Sequence, residues 1–320
     1  MELENIIKSE YENVCGLVIA QGGTVVHESY YNGCGPDDPV HVASVTKSVF
    51  SALVGIALEK GHLKSLDQRV LDFFPEHQGG DETARQVTIR DMLTMTAPYK
   101  YRKEPYLDFF KSDNWLNFAL DLLGGERQIG DFQYAAMIGT HILSGVLVRA
   151  MGQSVFDFAA QHLFAPLSIH VERSVVLHNE EEHMAFFQTK SASGWAADEQ
   201  GLNPAGWGLT LTAMDMAKLG MLYLNGGVWE GRQIVPREWI TESTTQHSRW
   251  AEAGLPYGYL WWLPELNGLR TFCAMGDGGN TICCIPERKL VVAIASSFVP
   301  DAKDRLELIA EHILPVLSAK

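Results

Sequence analysis

Residues 14–20 and 24–31 are runs rich in β-branched and aromatic side chains, and the Gln21-Gly22-Gly23 turn between them predicts an antiparallel hairpin. After a stretch at 33–39 full of Gly, Pro and Asp, the spacing of Val45, Val49, Ala52, Leu53 and Ile56 predicts a helix over 44–60, stopped by Gly61. Its composition is mostly apolar, so it is expected to be buried. From 63 to about 203 the pattern is helical and loop-rich: Thr88 with Asp91 and Ser154 with Asp157 resemble capping pairs, Asp113 is placed to cap a helix over 115–123, and apolar residues recur every three or four positions over 134–151. A Gly/Pro loop at 203–208 precedes a helix that Thr212 and Asp215 start and that Gly226 and Gly227 end; Pro236 starts another. The period then returns to two, predicting strands over 257–263, 269–275, 281–286 and 290–297, followed by a helix over 301–317. Strand signals at both ends with helices between them imply a mixed α/β (α+β) fold. An antiparallel sheet flanked by helices is built from both chain ends (1–60 and 205–320), and an all-helical lobe (61–204) is inserted between them.

Composition narrows the function. The 320 residues are 46% hydrophobic, as in an ordinary globular protein, and the net charge of −14 is scattered along the chain. Nucleic acid is an unexpected partner, because phosphate binding needs a basic patch. No run of about 18 uninterrupted apolar residues exists, which argues against a membrane span. The first fifteen residues, MELENIIKSEYENVC, carry acidic groups where a signal peptide has a basic run and an apolar core, so a cytoplasmic location is expected. Five cysteines (Cys15, Cys34, Cys273, Cys283 and Cys284) are an odd count spread over a large chain, and they are read as reduced packing residues.

One place combines a nucleophile with a base. Ser44 stands where a loop becomes the apolar helix, and Lys47 lies one turn later on the same face. Helix-terminal amides favour negative charge on the serine oxygen, while burial would lower the lysine pKa until its amine accepts a proton. The spacing alone equally describes a capping serine beside a solvated lysine.

The surroundings decide for chemistry. Besides Ser44-Val45-Thr46-Lys47, the stretches VTIRDMLTMT (87–96), GLTLTAMDMAKLG (208–220), YGYLWW (257–262) and GDGGN (276–280) occur in order. In these the chain resembles the serine β-lactamase and penicillin-binding protein superfamily, in its class C β-lactamase-like branch of esterases, amidases and peptidases. The resemblance runs over nearly the whole chain and implies that fold, a covalent acyl-enzyme on Ser44, and no metal or organic cofactor. It implies that Lys47 and Tyr134 move protons; Tyr134 stands for the tyrosine of the family's Tyr-x-Asn, with Ala136 in place of the asparagine, and a nearby ammonium would ease its ionisation. The family's Lys-Thr-Gly, or His-x-Gly in related esterases, aligns with Asp277, Gly278 and Gly279, whose glycines would let substrate approach a strand edge. The amides of Ser44 and Asn280 would then form the oxyanion hole. Tyr99 and Trp207 are expected to border substrate, with Tyr101 and Tyr106 as neighbours at the cleft rim. Asp277 puts an anion where a β-lactamase holds a cation for the substrate carboxylate. With Ala136, it points to a small neutral or cationic ester, amide or peptide as partner. A β-lactamase or D-amino-acid peptidase, and a non-catalytic binding or sensing member of the fold, are the alternatives.

Other features carry less. The run His178-Asn179-Glu180-Glu181-Glu182-His183 lacks zinc-protease spacing and is read as a solvated acidic loop. Cys283 and Cys284 point to opposite faces of a strand and cannot clip a metal.

Overall fold

The computed structural model of the protein describes residues 2–190 and 192–318. Its centre is a five-stranded antiparallel sheet made from both chain ends: β1 (Val14–Gln21), β2 (Thr24–Tyr30), β3 (Phe272–Gly276), β4 (Asn280–Ile285) and β5 (Leu290–Ser296), in the order β3-β4-β5-β1-β2. Val14 lies opposite Ser296 and Gln21 opposite Leu290, so the first and last strands are neighbours and the chain ends are locked together. The strand expected over 257–263 does not form. Tyr259–Leu260 turns instead, with Leu260 at φ +62°, and Trp262 makes only isolated bridges, to Tyr257 and Cys273.

Two helices position the site, and a third opens the chain. An unpredicted amphipathic α1 (Glu2–Glu10) precedes the hairpin; α2 (Val45–Glu59) is buried over most of its length, as its apolar sequence predicts. The helix α3 (Ile138–Met151) begins four residues later than its periodicity suggested, leaving 134–137 non-helical with a bend at 136–137, and ends at Gly152 in the left-handed conformation. Elsewhere Thr88–Asp91 and Thr212–Asp215 form complete capping boxes, and Ser154 caps through Asp157, as expected. Asn114, not Asp113, caps the helix Trp115–Asp121. Helix Ala213–Leu224 reaches the sheet at Gly220, where a Cβ would stand 2.5 Å from Val291 Cγ1 and 3.0 Å from Ile282 Cγ2; glycine is needed for that approach.

The acidic run 178–183 is not a loop throughout: residues 180–183 open a helix. Asn179 caps Glu180–Phe187, and one face is apolar enough to bury His183 edge-on against Trp207 at 4.3 Å. Cys273, Cys283 and Cys284 are buried in the sheet. Among the described residues no single helix is long and apolar enough to cross a membrane.

Candidate active site

The nucleophile candidate sits on a strained turn. Ala43 has φ +47°, a conformation costly for a residue with a Cβ, and the turn is held on both sides. The Ala43 amide donates to His41 Nδ1, and the Thr46 hydroxyl donates to the Ala43 carbonyl at 2.7 Å. Ser44 therefore stands half-buried at the N-terminus of α2 with its side chain making no cap bond. Its oxygen is free for other partners.

One of them is Lys47, whose side chain is 2% exposed. Its Nζ donates to Ser44 Oγ at 2.9 Å, to the Ala136 carbonyl at 2.7 Å and to the Gly206 carbonyl at 3.0 Å. Those contacts suit both protonation states. Two N–H bonds stay on the carbonyls when the amine is neutral, and the lone pair then faces the serine hydroxyl. Burial lowers the Lys47 pKa to about 8, with Glu104 and Asp277 opposing the fall. At that value roughly a tenth of Lys47 is neutral at pH 7, against about three in ten thousand for an ordinary lysine.

Tyr134 completes the group from the irregular segment before α3. Its ring lies 5.0 Å from Lys47 Nζ, and its hydroxyl is near enough to the Ser44 side chain to interact with it. The expectation that the lysine would ease its ionisation is not met: burial holds the phenol well above its ordinary pKa, the Ser44 side chain lowers it only in part, and Asp277 and Glu104 add to the rise. It is a neutral hydroxyl near pH 7, able to donate and accept. Behind it Trp262 packs at 5.4 Å, and the half-exposed Trp250 packs on Trp262 at 6.1 Å, making an aromatic wall that leads outward.

The glycine hairpin reaches the site differently from its alignment. Gly276 closes β3 directly over the serine turn, where a Cβ would stand 2.3 Å from the Val42 carbonyl and 3.0 Å from the Ser44 amide. Gly278 and Gly279 do have positive φ, but they face away from Ser44. A Cβ on Gly278 would meet Phe298 and Ser297, and one on Gly279 would meet the Arg305 guanidinium. The space they leave is occupied by protein rather than open to substrate. Asn280 lies across the hairpin on β4, paired with Gly276. Its buried side chain donates to the carbonyls of His41 and Asp277 and accepts from the Ser296 amide, bracing the hairpin against the strand before the serine turn. The exposed Asp277 carboxylate is close enough to act electrostatically on Lys47, Tyr134 and Tyr106.

Of the rim candidates only Tyr106 is exposed. Tyr99 is 4% exposed, with its hydroxyl pressed against Gly139 of α3, and Tyr101 stacks on it at 5.3 Å. Trp207 is buried among His183, Phe110 and Trp115; its contribution to the site is through the preceding residue, whose carbonyl holds Lys47. Sequence reasoning missed Glu104, a buried carboxylate beside these groups, because a charged loop residue ordinarily belongs at the surface. It also missed the two carbonyls that seat Lys47, since backbone acceptors leave no mark in side-chain identity.

The comparisons agree with this architecture. A curated relative, a 6-aminohexanoate-dimer hydrolase of Paenarthrobacter ureafaciens, is 24% identical over 294 residues, covering 86% of this chain and 68% of its own. A penicillin-binding protein homologue from Caulobacter crescentus superposes with TM-score 0.76 at 18% identity over 98% of this chain and 95% of its own. A family VIII carboxylesterase gives 0.71 at 17% identity over 96% and 93%. The sequence profile of the beta-lactamase family matches residues 12–314, a span that holds the serine turn, Lys47, Tyr134 and the glycine hairpin, and the chain accordingly belongs to the beta-lactamase family of hydrolases.

Proposed function

We propose that the protein is a serine hydrolase that cleaves an ester or amide bond through an acyl-enzyme on Ser44. The observation that carries the reading is the seat of Lys47: an amine buried among two carbonyls and the serine hydroxyl, lowered to about 8, is a base aimed at a nucleophile. Neutral Lys47 takes the Ser44 proton as Oγ bonds to the substrate carbonyl carbon, and the carbonyl electron pair moves to oxygen. Two backbone amides receive that oxyanion: Ser44's own and, because Gly276 is the hairpin residue over the serine turn, the next one along, Asp277, in place of Asn280. Collapse re-forms the carbonyl and breaks the bond to the leaving group. The leaving atom takes its proton from the Tyr134 hydroxyl, which Lys47 re-protonates. Water then attacks the acyl carbon, gives its proton back through the same pair, and frees Ser44.

The mouth favours a neutral or cationic substrate. Asp277 repels a carboxylate, and Ala136 offers no side-chain amide to hold a substrate amide. The resemblance to a 6-aminohexanoate-dimer hydrolase and to a carboxylesterase supports small ester and amide substrates. Intact mass after a fluorophosphonate probe tests the reading: wild type gains one adduct and Ser44→Ala gains none. A folded wild type that stays unlabelled refutes it.

A further inference from the structure

The Ala136–Met137 peptide is held at both ends. Its carbonyl accepts from Lys47 Nζ at 2.7 Å, and its amide donates to the Glu104 carboxylate, 3.3 Å from Oε1 and 3.2 Å from Oε2. A trans peptide points these groups in opposite directions, so one rigid unit lies between Glu104 and Lys47. The next amide, Ile138 at the start of α3, also donates to Glu104 Oε1 at 3.3 Å, as does the Tyr101 hydroxyl at 2.9 Å; the Tyr106 hydroxyl lies close enough to interact with the same carboxylate. All these partners can donate to it, which is the environment of an ionised carboxylate, although at 8% exposure burial acts to raise its pKa.

We infer that Glu104 is a positioning residue for the reaction: through the Ala136–Met137 peptide it fixes the carbonyl that seats Lys47 against Ser44, and its charge polarises that peptide toward the lysine. The inference rests on the serine-hydrolase reading above and goes beyond it, since the carboxylate touches neither Ser44 nor substrate. Its role follows from three facts. The segment 134–137 lies outside α3, with a bend at 136–137, and the Thr140 amide makes no helical bond to the Ala136 carbonyl. Ala136 supplies no side chain of its own to do so. Hydrogen bonds in series strengthen one another, so an anion at one end of the peptide makes its carbonyl a better acceptor at the other. The charged and titratable groups facing Lys47 are Glu104, Asp277 and Tyr134, and of these only Glu104 is coupled to it through a shared peptide.

The test compares wild type, Glu104→Gln and Glu104→Asp by the pH dependence of the second-order rate of fluorophosphonate labelling, with thermal melts alongside. Glu104→Gln keeps an acceptor for the Met137 amide but removes the charge. Its rate midpoint should fall by roughly one pH unit, the size expected for loss of one nearby anion. Glu104→Asp keeps the charge but not the reach; its midpoint should stay at the wild-type value while its plateau rate drops about tenfold or more, as for a displaced catalytic group. A midpoint that stays put in a folded Glu104→Gln, or a wild-type plateau in Glu104→Asp, overturns the inference. So does a lowered melting temperature with unchanged labelling, which is the mark of a purely structural carboxylate. Titration of the Lys47 Cε resonance in 13C-lysine protein, assigned by its absence in Lys47→Ala, reads the same midpoint without any reaction. Absence of labelling in wild type would defeat the Ser44 reading, whereas this titration still decides the role of Glu104.

Discussion

Replacing Gly276 by alanine should slow the chemistry sharply as well as lower stability. The new methyl would stand 2.3 Å from the Val42 carbonyl oxygen, about 1 Å inside van der Waals contact, and 3.0 and 3.1 Å from the Ser44 and Val45 amides. Gly276 has ordinary extended torsions, so the residue itself is not strained and the whole cost is this clash. Relief requires β3 to withdraw or the serine turn to sink by close to 1 Å, a displacement worth about 100-fold in rate at an organised site. Overpacking of this kind costs roughly 1–3 kcal/mol of stability. Gly278→Ala is the control. At φ +78° and 3.0 Å from the Phe298 backbone it carries a comparable steric cost, but on the side of the hairpin away from Ser44. The assay is the fluorophosphonate labelling rate beside the melting temperature for both variants. Gly276→Ala should label about 100-fold more slowly, and Gly278→Ala should melt lower and label at a rate near wild type. If Gly276→Ala labels normally, the hairpin does not approach the serine turn in the way described, and the Asp277 amide is no part of an oxyanion site.

Three further outcomes follow from the same geometry. Labelling requires neutral Lys47, so below its pKa of about 8 the rate should fall about tenfold per pH unit, and above it level off; a flat profile between pH 6 and 8 would remove lysine as the base. Tyr134→Phe removes the hydroxyl beside Ser44 but not the base, so turnover of an alkyl ester or amide, whose leaving atom must gain a proton, should drop about 100-fold while the pH midpoint stays; a midpoint that moves would make the phenol the titrating group. Nitrocefin, a carboxylated β-lactam, should turn over far more slowly than a neutral p-nitrophenyl ester, and Asp277→Asn should narrow the gap; equal rates in wild type would refute electrostatic exclusion by Asp277.

Periodicity and turn residues fixed the local elements of this chain, because they depend on neighbours three or four positions away. The 14–31 hairpin, the buried helix after Ser44, and the Thr88, Ser154 and Thr212 caps were all legible on that ground. The Ser44–Lys47 contact was legible too, since one helical turn sets it. The rest was decided by packing between distant segments. A strand pattern at 257–263 gave way to a turn, and an acidic run at 178–183 opened a helix once His183 could bury against Trp207. The hairpin shows the limit most clearly: three glycines in the space of four residues look alike in sequence, and only the path of β3 over Val42 and Ser44 brings Gly276 to the serine turn while Gly278 and Gly279 fill against Phe298 and Arg305. Glu104 and Lys47 are far apart in the chain and joined through a backbone peptide. No residue pattern encodes such a link, because a peptide group is the same at every position and only the fold gives it a direction.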